Sequence, residues 1–384
     1  MKLRLGVLAF GLVGTLCAQE DLRIKSAHVH TMGSQGTLAA TIVVSKGKVA
    51  SVGNDAATLD LGDAHIYPGF VDAATAAGAR RERDDLSKTI LPEFKMRDAV
   101  ELGHRDFQSF ASHGVTTVHV LPGDRNVVGG LATAIKIGGA DGASWLKPVT
   151  GLKVSLRESE YAPPRGGGGG DPFSRMFGGG GAAGRDPTSL FGGLSLLRSP
   201  PKESAEAMAP WKDGKSRVFV AAGSNREYDA AARLRSDAGL NPTVIASAGA
   251  GARSKELAAG ASGLILSPIR PGMDGYAAKE IADLFASTMP IAFCSAAPFT
   301  RPSSLRVSAS TAVMCGADVS KVERALTIDA ARLVGVDDRV GSLEVGKDGD
   351  LVALSGPATD SRSRVLLVVS DGRVIWRAEK DSKP

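Results

Sequence analysis

A hydrolytic metal needs nitrogen and oxygen donors close together, because the ion must be held while it lowers the pKa of a bound water. The sequence has six histidines, His28, His30, His65, His104, His113 and His119, and none after position 119. That argues against any site drawing imidazoles from the second half of the chain. His28 and His30 have the i, i+2 spacing that puts two side chains on one face of a strand. Leu22 and Ile24 alternate with Arg23 and Lys25 just before them, so the expectation is a surface pair on a small sheet. His65 reads as a linker residue. His104 and His113 fall on and after an expected helix, 97–112, facing solvent or capping its end. His119 alternates with Val115 and Thr117 near the end of an apolar strand, which makes it a pocket candidate. Cys294 ends another apolar strand but has no later histidine to activate it, so a cysteine nucleophile is not expected.

The elements that would position these groups are of two kinds. Short alternating strands are expected at 22–30, 40–44 and 48–52, and again at 350–354, 364–369 and 373–376, where Asp371-Gly372 is a two-residue hairpin turn. Between them, apolar strands at 115–120, 218–222, 243–246, 263–266 and 291–294 alternate with amphipathic helices at 227–238, 254–259 and 277–287. This predicts an α/β fold: a TIM-type (β/α)8 barrel with a small β-sandwich built from both chain ends. The expected division is 19–65 for the N-terminal part of the sandwich, 66–341 for the barrel and 342–384 for the rest of the sandwich. A glycine-rich stretch, 163–184, interrupts the barrel; it lacks the Gly-Lys-Ser/Thr ending of a phosphate loop.

With 43% hydrophobic and 23% charged residues the chain is globular, and 5% aromatics argue against a sugar- or base-stacking surface. The net charge of +5 is dispersed, so no nucleic-acid partner is expected. Residues 1–18 read as a signal peptide, with Lys2 and Arg4 before an apolar run and Ala18 as the cleavage point. The expected location is periplasmic or secreted, with no membrane association after cleavage; lipid attachment at Cys17 is an alternative. Cys294 and Cys315 are expected as small buried hydrophobes, although an oxidising compartment would allow them to pair.

Four segments together resemble the amidohydrolase superfamily, near imidazolonepropionases and secreted dipeptidase-like proteins. They are Pro68-Gly69-Phe70-Val71-Asp72-Ala73-Ala74-Thr75-Ala76; the stretch from Gly114 through Asn126 and Gly129-Gly130 to Lys136; Gly151-Leu152-Lys153-Val154; and residues 325–352, with Gly341-Ser342-Leu343-Glu344 and Gly346-Lys347-Asp348-Gly349-Asp350-Leu351-Val352. The resemblance implies metal-dependent hydrolysis of C–N bonds at the mouth of a barrel. It also implies where ligands belong. The two histidines of the first barrel strand fall on Ala74 and Ala76. The strands that carry two more histidines correspond to 218–222 and 245–249, which hold none. The carboxylate of the last strand falls on Ala296, and Asp72 alone remains. Lys153 matches the position of a metal-bridging lysine. His119, Asn126, Lys136 and Lys153 are therefore the pocket candidates, with no metal ligands and no catalytic residue assigned. The expectation is an exported pseudoenzyme without a cofactor that acts as a binding subunit, pairs with an active relative or self-associates. The alternative is an active amidohydrolase with a non-standard site and one divalent metal such as zinc.

Overall fold

The computed structural model describes residues 21–79, 82–138, 142–158, 187, 189–272 and 274–379. The expected signal peptide and the glycine-rich stretch lie outside the described residues.

Five strands come first: β1 (Leu22–His30), β2 (Thr37–Ser45), β3 (Lys48–Gly53), β4 (Leu59–Asp60) and β5 (His65–Pro68). Eight follow: β6 (Phe70–Thr75), β7 (Val115–Val120), β8 (Val128–Ile137), β9 (Ala143–Ser155), β10 (Arg217–Ala221), β11 (Asn241–Ala246), β12 (Gly263–Leu266) and β13 (Ile291–Phe293). The last three are β14 (Leu351–Leu354), β15 (Val365–Ser370) and β16 (Arg373–Arg377).

The two ends of the chain form one sheet in the order β16-β15-β14-β5-β1-β2-β3, with β4 also on β1. The junction is the antiparallel pairing of β5 with β14, in which Ile66 faces Ala353. Alternation sends Ile24, Ile42, Val44, Leu351, Leu367 and Val369 into a shared core. The expected sandwich is thus a single hydrogen-bonded sheet curled over its own apolar face. The Asp371-Gly372 turn joins β15 to β16 as its residue types require, with φ of +47° and +72°.

The second sheet runs β13-β12-β11-β10-β9-β8-β7-β6 in chain order and nearly closes, the Ala76 N–H donating to the Ala297 carbonyl at 2.7 Å. Seven strands share a direction. β8 opposes both of its neighbours. The reason is length: connections 121–127 and 138–142 are too short for a crossover helix, which needs about a dozen residues. Parallel β/α order holds from β9 onward. Its helices have local signals: Asn225–Ala238 starts with a Ser224/Glu227 capping box, and Gly275–Ala286 with Asp274 accepting from the Ala277 N–H. The expected helix at 97–112 is instead three short pieces, Met96–Ala99, Arg105–Phe107 and Gln108–Ala111. The Glu101 N–H turns away to the Gly78 carbonyl, and His104 caps the next piece by accepting from the Asp106 N–H.

Candidate functional site

A cavity of about 480 Å³ opens where the parallel strands end. Most of its floor is small side chains: Ala74, Thr75 and Ala76 at the end of β6, Ala221 and Ala222 at β10, Ser247 after β11, Ser267 after β12, and Cys294 and Ala296 after β13, with Leu121 and Ile245 beside them. Its rim is charged. Arg83 and Asp84 come from the loop after β6, Asp124 and Arg125 from the connection after β7, and Lys153 and Arg157 from the end of β9. All of these strand ends point the same way, so residues distant in sequence converge there.

The rim is tied together by one carboxylate. Asp124 accepts from Lys153 Nζ and, at 3.2 Å, from the Arg157 guanidinium. Burial alone would raise the Asp124 carboxyl, but these two cations outweigh it and hold the group below the usual carboxylate range. Asp84 receives the Arg125 N–H at 3.2 Å and packs on Gly123, where a Cβ would lie 2.2 Å from its Oδ1; only glycine allows that approach. The Arg83 guanidinium sits 5.3 Å from the Phe299 ring centre, and its buried Nε has no hydrogen-bond partner among the described residues.

At and below the floor, two ionisable groups are buried. Asp72 Oδ1 accepts from the Ser295 N–H at 2.9 Å, while Oδ2 has no partner among the described residues. Burial raises this carboxyl to about 7, against the smaller opposing effect of the Ser295 bonds. Cys294 is a free thiol whose pKa is pushed up by burial and then by Asp72, the opposite of what a nucleophile needs. Cys315 is also free.

The four pocket candidates are placed very differently. Lys153 lines the cavity. His119 does not: it is fully buried one layer down in the barrel interior, 4.6 Å from Phe219 between ring centres. Its Nδ1 meets the Ala73 carbonyl at 2.9 Å and its Nε2 the Thr150 hydroxyl at 2.8 Å. A carbonyl accepts only, so Nδ1 carries the hydrogen and Nε2 accepts from Thr150. Burial lowers this imidazole to about 4, so it stays neutral. Asn126 is a brace: its Nδ2 donates to the Asp85 and Lys88 carbonyls, both at 2.7 Å, and so fixes the loop that carries Arg83 and Asp84. Lys136 is at the other end of the barrel. An expectation of parallel strands puts it near the mouth, but β8 runs backward, so the C-terminal part of that strand descends to the sheet built from the chain ends. There its ammonium meets Asp348, Asp350 at 2.9 Å and Asp371 at 3.0 Å.

The other histidines stay away from the mouth. His28 and His65 face each other in register and stack at 4.4 Å, and His30 Nε2 lies 2.9 Å from His65 Nδ1. His113 Nδ1 meets the Ser109 carbonyl at 2.8 Å. Arg83, Asp124, Arg157 and Phe299 were not legible as site residues. Nothing in their local spacing separates them from ordinary surface charge, and only the chain's return to one face of the barrel unites them.

The fold's hydrolases imply a metal at such a mouth, so its side chains can be tested as donors. The positions the sequence resemblance assigns to imidazoles and carboxylate carry methyl groups at Ala74, Ala76 and Ala296. The two acids that do line the cavity, Asp84 and Asp124, are engaged by Arg125 and by Lys153 with Arg157. Among the described residues, no three or more His, Cys, Asp or Glu side chains are grouped to hold a metal ion. These residues do not fit a hydrolytic metal centre.

Comparison with known proteins agrees with this architecture. Residues 275–375 match the model of the amidohydrolase family. Over 93% of this chain and 100% of the other, the structure is similar to an amidohydrolase from Thermotoga maritima MSB8, with 24% identity and a TM-score of 0.74. Phenylurea hydrolase B is similar over 92% of this chain and 96% of its own, with 14% identity and a TM-score of 0.56. A putative prolidase from Bifidobacterium longum is similar over 93% and 95%, with 17% identity and a TM-score of 0.52. No curated protein matches the sequence. The superfamily resemblance therefore holds in the family match and in the fold.

Proposed function

We propose, with the amidohydrolase fold as the premise, that this chain is an exported pseudoenzyme whose barrel mouth binds a small molecule and does not hydrolyse it. The observation that carries this reading is the floor of the cavity. Ala74, Ala76 and Ala296, the positions the sequence resemblance assigns to two imidazoles and a carboxylate, all line the same mouth. A methyl group has no lone pair to give a metal, and without the metal no water is ionised near neutral pH. Lys153, where the resemblance puts a metal-bridging lysine, is held by Asp124 instead. The rim carries Arg83, Arg125, Lys153 and Arg157 against Asp84 and Asp124, which favours a ligand with an anionic group. Export to the periplasm or beyond rests on the apolar N-terminal run. The same scaffold would serve as a subunit beside an active relative or a second copy of itself.

The test is metal content. The mature protein is incubated with excess zinc, dialysed against metal-free buffer and assayed by mass spectrometry of the metal. The expected result is far below one zinc per chain. Near-stoichiometric zinc after dialysis would overturn the reading.

A further inference from the structure

We propose that a second cavity, at the end of the barrel away from the mouth, is a seat for a small tetrahedral oxyanion such as phosphate, built from Lys46, Lys48, Arg373 and Ser370. The cavity measures about 510 Å³. It lies where two tight turns abut: Lys46-Gly47 between β2 and β3, with φ of +50° and +77°, and Asp371-Gly372 between β15 and β16. The two turns are in backbone contact, since a Cβ on Gly372 would lie 3.1 Å from the Gly47 Cα. Their flanking side chains therefore face one space, which the end of β8 and Arg339 close from the barrel side.

The charge in that space is one-sided. Lys46, Lys48, Lys136, Arg339 and Arg373 line it, against Asp348 and Asp371, with Asp350 behind. Asp348 is already saturated: it accepts from Lys136, from Lys48 at 2.5 Å and from Arg339 at 2.8 Å. Burial opposes its ionisation, but Lys136 first and then Lys48 and Arg339 hold it below the ordinary carboxylate range. The acids thus consume Lys136 and share Lys48 and Arg339, and the structure records no ion pair for Lys46 among the described residues. A cationic or neutral ligand would have to enter past this excess; an anion would be drawn in.

A second observation points to a ligand that accepts hydrogen bonds. Ser370 lines the cavity, is 3% exposed, and its buried Oγ has no hydrogen-bond partner among the described residues. A hydroxyl left so costs about 1–3 kcal/mol unless something meets it. An oxyanion oxygen beside Lys46 and Arg373 would accept from it, and charge-assisted bonds of that kind are the stronger sort.

The test uses the mature protein and inorganic phosphate, titrated calorimetrically and by thermal unfolding at constant ionic strength set with sodium chloride. The expected result is saturable binding and a rise in the unfolding midpoint that chloride does not produce. Lys46→Asn keeps a residue type that tolerates positive φ and should weaken phosphate binding at least threefold. Lys46→Asn with Ser370→Ala should weaken it at least tenfold, and Lys279→Ala, on an exposed helix face away from both cavities, should leave it unchanged. Absence of saturable binding in the wild type would overturn the proposal, whatever the variants do. So would binding that survives Lys46→Asn and is lost in Arg83→Ala, at the mouth, or a response to a polyanion alone. None of these outcomes bears on metal content at the mouth, so the two proposals stand or fall separately.

Discussion

The two ends of the barrel handle charge in opposite ways. At the mouth, the strand ends present methyl and hydroxyl groups, and the buried Lys153 ammonium meets a single, partly exposed carboxylate, Asp124, which it shares with the exposed Arg157. At the far end, one buried ammonium, Lys136, sits among three carboxylates under the turns of the terminal sheet. Burying charge is tolerable only where partners are fixed, because desolvation of each ion must be offset by several close contacts. The far end has them: β8, residue 348, β14 and the β15–β16 turn are all locked by sheet pairing. A buried network of this kind is weak evidence for extra stability; what it does is join the barrel strand β8 to the sheet of the chain ends. The mouth, floored largely by uncharged side chains, has no such obligation.

The sharpest way to break this comparison is to remove the central ammonium. Lys136→Met would leave Asp350 buried without its cation, and Asp348 short of one, and should cost about 3–5 kcal/mol in urea unfolding. A loss under about 1 kcal/mol would mean that Lys48 and Arg339 alone neutralise the site. The next test is beneath the mouth. The folded-state pKa of Asp72 is raised from 3.8 to about 7, so the stability it contributes is fully present below pH 3.8 and is lost as pH rises through 7. Asp72→Asn should therefore gain roughly 2–4 kcal/mol at pH 8 and nothing at pH 3.5; equal effects at both pH values would refute the buried charge.

A smaller effect of opposite sign is expected from the buried imidazoles. His30 and His119 are lowered from 6.5 to about 4, by burial and, at His30, by His65 and His28 as well. Their contribution is present above pH 6.5 and is lost as pH falls toward 4, by roughly 2–3 kcal/mol for His119. His30→Asn should make that acid limb shallower, as read from unfolding midpoints between pH 7.5 and 4. The smallest effect is at the rim. Asp124 is 26% exposed and keeps Arg157, so Lys153→Met should cost only about 1 kcal/mol. A cost equal to that of Lys136→Met would erase the contrast between the two ends.

Much of the scaffold could be read from local pattern. The alternation in β1, the Asp371-Gly372 turn and the strand–helix succession from β10 to β13 each follow from residues within a few positions of one another. The direction of β8 could not be read that way, although the short connections on either side of it carried the signal. That one reversal is why Lys136, a mouth candidate by sequence, lies at the opposite end. His119 shows another limit: its i, i+2 pattern correctly turns it into the barrel, but pattern does not say at which layer. Asn126 was found without its role, because its partners, the Asp85 and Lys88 carbonyls, belong to an irregular loop.

The chain alone determined where imidazoles stand and where methyl groups do, since six histidines confined to the first 119 residues and alanines at 74, 76 and 296 are facts of composition and order. It also determined the two kinds of strand, because burial on one face or on two writes itself into residue alternation. Tertiary structure decided which groups meet: Asp124 with Lys153 and Arg157, and Lys136 with carboxylates more than two hundred positions away. The physical reason is range. Backbone preference and hydrophobic period act over a few residues, whereas an ion pair forms wherever the closed sheet brings two charges within about 4 Å, and no local pattern encodes that closure.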